Sequence, residues 1–146
     1  MKNLDWKLLK RLALLGVAMG LATVWGWVGS HEAWAWLLVG AAGAGAIARY
    51  VKRDHFQHGV AAGVIISLAA QMLQVIFFPI YMANNLAHTA DFNELPIDFP
   101  PRLFIVLLAP VIAVASGVVL GVLAWGAAQV LPAILEMLAD KNKKAN

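Results

Sequence analysis

Between residues 59 and 81 the chain runs for 23 residues without a charged side chain, GVAAGVIISLAAQMLQVIFFPIY. At ~1.5 Å per residue, a helix of that length crosses a hydrocarbon layer of ~30 Å with some tilt. Few other folds are open to such a run in lipid, where each backbone N–H and C=O must be satisfied within the protein. Steps of three and four place Gly59, Gly63, Ser67, Ala70, Gln71, Gln74, Phe78 and Tyr81 on one face. Ile65, Ile66, Leu68, Met72, Leu73 and Ile76 fall on the other. The first face suits protein and the second suits lipid. An amide without a partner in hydrocarbon is costly, so Gln71 and Gln74 are expected to point at other helices or into a cavity. Two roles fit them: hydrogen bonding between helices, or, with Ser67, the polar lining of a binding site or passage. Pro79 lacks a donor and predicts a bend near that end of the helix.

Three further apolar runs, at residues 12–28, 34–50 and 103–128, extend the pattern to four transmembrane helices. The expected fold is thus an all-α integral membrane bundle, one domain over residues 1–146, with an outer loop at 82–101 and a cytoplasmic tail at 129–146. Composition agrees, since 62% of the residues are hydrophobic and 13% charged, a balance unlike that of a soluble domain. Cysteine is absent, which removes disulfides, thiolate metal sites and a cysteine nucleophile. The formal charge of +3 does not point to nucleic acid, because the basic residues flank apolar runs rather than forming one patch.

Charge placement sets the expected topology. Of the 11 Lys and Arg residues, all but Arg102 lie in the N-terminal flank, the loop after residue 48 or the C-terminal tail. Such a bias predicts both termini inside, as in a multi-pass protein of the bacterial inner membrane. Trp25, Trp27, Trp34 and Trp36 bracket the connection between the first two runs and mark an outer interface. Ala33-Trp34-Ala35, after a basic start and an apolar run, imitates a signal cleavage site, but the first run is read here as a retained span.

Small residues suggest how the helices meet. Ala13, Gly16, Gly20 and Thr23 share one side of the first run. Ala113, Gly117, Gly121, Ala124 and Ala128 form a stripe on the fourth, a surface fit to receive the third span. Residues 40–46, GAAGAGA, leave the second run almost without side chains and predict a helix packed between other helices, of this subunit or of a partner. The following string, Gly45-Ala46-Ile47-Ala48-Arg49-Tyr50, resembles the end of the GGxxGAxxRY motif of the fluoride-channel family. The likeness covers six residues. Ala41 and Ala42 stand where that family has its glycine pair, and the asparagine and the Thr/Ser/Phe-rich segment that follow there are missing, so nothing is carried over from it.

Polar residues outside the runs favour solvation over chemistry. His31 with Glu32, His55 with His58, and the 82–101 segment with His88, Asp91, Glu94 and Asp98 all carry metal-ligand side chains, yet none has the spacing of a known metal loop. No metal and no cofactor is therefore expected. Pro132 is expected to end the last helix or to turn the tail along the membrane surface. With no acid or base inside a span, the chain is not expected to be an enzyme. The leading expectation is a membrane subunit that assembles, stabilises or regulates a larger complex, in contact with membrane lipids and other subunits or copies of itself. Two alternatives are a small oligomeric channel or carrier lined by Ser67, Gln71 and Gln74, and a module binding lipid, quinone or pigment.

Overall fold

The computed structural model of the protein describes residues 4–86 and 100–145. Among them it is entirely helical: α1 Trp6–Val24, a single 3-10 turn Gly29–His31, α2 Glu32–Tyr50, α3 His55–Ile76, α4 Phe78–Asn84 and α5 Pro101–Ala145. α3 and the Pro101–Ile134 portion of α5 are each long and apolar enough to cross a membrane. Most of the acidic loop expected at 82–101 lies outside the described residues.

The limits of α1 depart from its charge-free run because caps set them. α1 starts among its basic residues, six positions before the apolar run. Asp5 caps it by accepting from the Leu8 amide at 3.0 Å. It ends at Val24 rather than residue 28 because Gly26, at φ 70°, closes a Schellman turn. The Trp27 amide donates to the Ala22 carbonyl at 2.9 Å and the Gly26 amide to that of Thr23 at 3.0 Å. A side chain at Gly26 would also meet the Asn84 carbonyl, 2.9 Å from its Cβ position.

The predicted bend in the third helix is a complete break. α3 stops at Ile76, Phe77 leaves helical geometry at φ −97° and ψ 31°, and α4 restarts with Pro79 in its first turn. Proline is tolerated there because the first amides of a helix have no partner within it. Tyr81 consequently sits on α4, not on the helix that carries Gln71. The opposite correction applies to the tail, where the backbone stays helical through Pro110 and Pro132 to Ala145. Each proline costs one bond and crowds one carbonyl, but the Ala, Leu, Glu, Met and Lys residues around Pro132 are strong helix formers.

α3 is the central element. Its first face meets α5 so closely that a Cβ built on Gly59 would lie 2.6 Å from the Gly121 Cα, and one on Gly63 2.7 Å from the Gly117 Cα. The glycine stripe of α5 thus receives the third helix as its register predicts. A second face meets α1: Gly20 stands against Ala70, and Gly16 against the Ile66 backbone. Ile66, expected on the lipid side, is only 3% exposed and belongs to the core with Leu9, Leu12, Ile47 and Leu120. Leu68, Met72 and Ile76 do remain on the outside.

Within this subunit α2 is peripheral. Ala44 and Ile47 are buried and Gly43 packs on Leu120 of α5, but Ala41 and Ala42 are exposed and nothing lies within 4 Å of a Cβ on Gly45. Its other long face stays open within the subunit because α3 is already flanked by α1 and α5.

Candidate functional site

Polar side chains inside the bundle divide into those that hold helices together and those that line a cleft. At the end of the bundle formed by the start of α1, His58 is 3% exposed and joins α1 to α3. Its Nδ1 donates to the Asp54 carbonyl at 2.9 Å and its Nε2 accepts from the Asp5 amide at 3.0 Å, an arrangement that requires the neutral ring protonated on Nδ1. His55 donates from Nε2 to the Val51 carbonyl at 2.8 Å. The two histidines expected to be solvated are therefore helix-end contacts.

At the opposite end, Asn85 donates from Nδ2 to the carbonyls of Thr23 and Tyr81, both at 2.9 Å, and Asn84 donates to those of Val24 and Ile80. Asn84 thus gives the Val24 carbonyl, at the end of α1, a partner from α4, while Asn85 adds a second donor to carbonyls that the Gly26 and Asn85 backbone amides already reach.

Between α2, α3, α4 and α5 lies a cleft of about 420 Å³. Ser67, Gln71 and Gln74 all border it, together with Glu32, Trp36, Tyr81 and Ser116, and an apolar wall of Phe104, Ile105, Leu108 and Ile112. The three residues singled out in the sequence are thus brought to one place, but they do different things there. Gln71 is 7% exposed, and its Nε2 donates to Ser67 Oγ at 2.9 Å and to the Ala109 carbonyl of α5 at 3.3 Å. It is a clasp between α3 and α5. Gln74, one turn on and half-buried, makes no side-chain hydrogen bond among the described residues, and the same holds for Ser116. Their polar atoms are available to whatever occupies the cleft.

Glu32 is the correction that matters most. Expected in a solvated turn beside His31, it is instead the first residue of α2 and lines the cleft. Its Oε1 accepts from Trp36 Nε1 at 3.3 Å and from Thr23 Oγ1 at 3.4 Å. The signal was present in the sequence: a lone acid four residues before a tryptophan shares its helix face. His31, its neighbour, faces out and is exposed.

A second cavity of about 360 Å³ adjoins the first, and the two share Trp36, Ser67 and Ser116. Its remaining lining, including Leu37, Val39, Gly40, Gly63, Leu120 and Leu123, is apolar. The two form one groove whose polar end holds Glu32, Gln71 and Gln74 and whose other end has nothing but hydrocarbon. Comparison with models of known families, with curated proteins and with solved structures finds no match to this chain.

Proposed function

We propose that the protein is a four-span membrane subunit, with both termini on the cytoplasmic side of a bacterial inner membrane, that works without catalysis by assembling, stabilising or regulating a larger membrane complex. The observation that carries this reading is the open face of α2. A shallow concavity of about 650 Å³ between α2 and α5 is lined by Trp34, Leu37, Ala41, Ala44, Gly45 and Ala127 among others, with no charged residue. Small residues there let another helix approach closely, the main basis of helix association in lipid. The outer side of α5 supports the membrane setting: Leu107, Val111, Val114, Val118 and Trp125 are all exposed on it. A surface so apolar on a monomer in water would be a liability, whereas in a bilayer it is the ordinary lipid contact. On this reading the 3-10 turn and α4 lie at the outer interface, and the helical tail with Lys141, Lys143 and Lys144 projects from the inner one.

A second reading, a lipid-binding module, draws on the α2–α3–α5 groove. The channel reading has less in its favour, because Gln71 and Ser67 are bonded to each other and to α5, and the groove loses its polar lining before its far end.

The absence of native cysteine makes single-cysteine variants clean probes. In intact cells, a membrane-impermeant maleimide is expected to label Asn93→Cys and to leave Asn146→Cys unlabelled until the membrane is opened. Labelling of both from one side would refute four spans with both ends inside. For the assembly reading, a benzophenone attached at Gly45→Cys is expected to capture a second polypeptide on irradiation, and one at Met72→Cys is not. No adduct from Gly45→Cys in native membranes would exclude α2 as the assembly face.

A further inference from the structure

The groove between α2, α3 and α5 changes character along its length in the order in which an outer-leaflet lipid changes from head to tail. On the proposed topology its outer end carries Glu32, Gln74 and Tyr81, and its inner end is walled by Gly40, Leu120 and Leu123. Ser116 lies where the two halves meet. We infer that this groove is a phospholipid site, taking one acyl chain of an outer-leaflet, net-neutral phospholipid in the apolar half and its ammonium-bearing head group at the Glu32 end.

Three features argue for that occupant. The Gln74 amide, not bonded within the described protein, offers a donor to the ester carbonyls that join head to chain, where a purely hydrocarbon guest would leave it unsatisfied. The carboxylate of Glu32 at the polar end attracts an ammonium and repels an anionic head such as phosphatidylglycerol. Gly40 leaves the apolar half open: the sole atom within 4 Å of a Cβ built there is Leu123 Cδ1 at 3.8 Å, so the volume is not used by the protein's own packing.

The inference rests on the membrane reading above, and the test separates the two. The full chain, purified in detergent, is reconstituted by detergent removal with phosphatidylglycerol containing a minor fraction of phosphatidylethanolamine, and the vesicles are floated on a density gradient. Failure to float with the vesicles refutes the membrane reading itself. Chain recovered with the vesicles is extracted into detergent and weighed intact by native mass spectrometry. The expected result is one retained phosphatidylethanolamine, favoured over phosphatidylglycerol by at least about fivefold relative to the bulk mixture. Gly40→Leu fills the apolar half and Gln74→Leu removes the bonding amide, and each is expected to lower that occupancy about fivefold or more. Gly126→Leu, outside the groove and with nothing within 4 Å of its Cβ position, should leave it unchanged. Should Gly40→Leu fail to fold, Ala115→Leu narrows the same apolar half. Lipid retained without head-group preference overturns the assignment, as does a preference that survives both groove variants, which would place the bound lipid elsewhere on the surface.

Discussion

Alanine at Gly59 or Gly63 is expected to break the α3–α5 packing, at a cost of about 3 kcal/mol or more for each, the upper part of the range for overpacking. The added methyl group would meet backbone. At Gly63 it would lie 2.7 Å from the Gly117 Cα and 2.8 Å from the Ser116 carbonyl oxygen, and at Gly59 2.7 Å from that of Leu120. No rotamer change relieves such a contact, so the helices must separate, and the pairs of small residues on both sides lose their close approach together. The same reasoning applies to Gly16 and Gly20 of α1 against the Ile66 and Ala70 backbone of α3. Gly121 should be milder, because its nearest obstacles are the side chains of Val60 and Phe56, which can turn aside. Gly45 provides the control: with nothing within 4 Å, alanine there should be neutral or stabilise by about 0.5–1 kcal/mol through helix propensity. Thermal unfolding of the purified variants in one detergent ranks them. A Gly63→Ala protein as stable as wild type, or a Gly45→Ala protein that unfolds first, would contradict the helix arrangement.

Substitution of the two glutamines is expected to separate them. Gln71→Leu removes the clasp to Ser67 and Ala109 from a buried position and should destabilise by about 1–3 kcal/mol. Gln74→Leu breaks no bond within the described protein and should stay within about 0.5 kcal/mol of wild type. The channel alternative makes a different forecast for the same variants. A passage lined by Ser67, Gln71 and Gln74 would be blocked by leucine through dewetting while the fold survived. Thermal stability and ion or solute flux in liposomes, measured on the same preparations, decide between them. We expect wild-type flux equal to that of empty liposomes and a stability loss confined to Gln71→Leu. Robust wild-type flux abolished in a fully stable Gln71→Leu protein would reverse our order of readings.

The contrast between the two amides shows what helix periodicity can and cannot supply. Positions 71 and 74 share a face by angle alone, and that face is correctly turned inward. Which of them reaches the Ala109 carbonyl depends on the separation of α3 and α5 at that height, which Gly63 and Gly117 set from below. The sequence likewise placed Ile66 among lipid-facing residues, since its apolar side chain fits either lipid or a core. The close approach of α1 through Gly16 decided for the core.

By itself, then, the sequence determined the helical character of the chain, the apolar runs, the glycine register that joins α3 to α5 and the inward direction of Ser67, Gln71 and Gln74. All of these follow from local periodicity and side-chain size. Only the tertiary structure decided that α2 lies at the periphery, that α3 breaks before Pro79 while α5 continues through Pro110 and Pro132, and that Glu32 enters the cleft. It also gave His58 and Asn85 their partners, Asp5 and Thr23, which stand 53 and 62 positions away along the chain. A helix end advertises that its amides or carbonyls need a partner. Which side chain comes to satisfy them is fixed by the packing of whole helices, and no local pattern in the sequence encodes that choice.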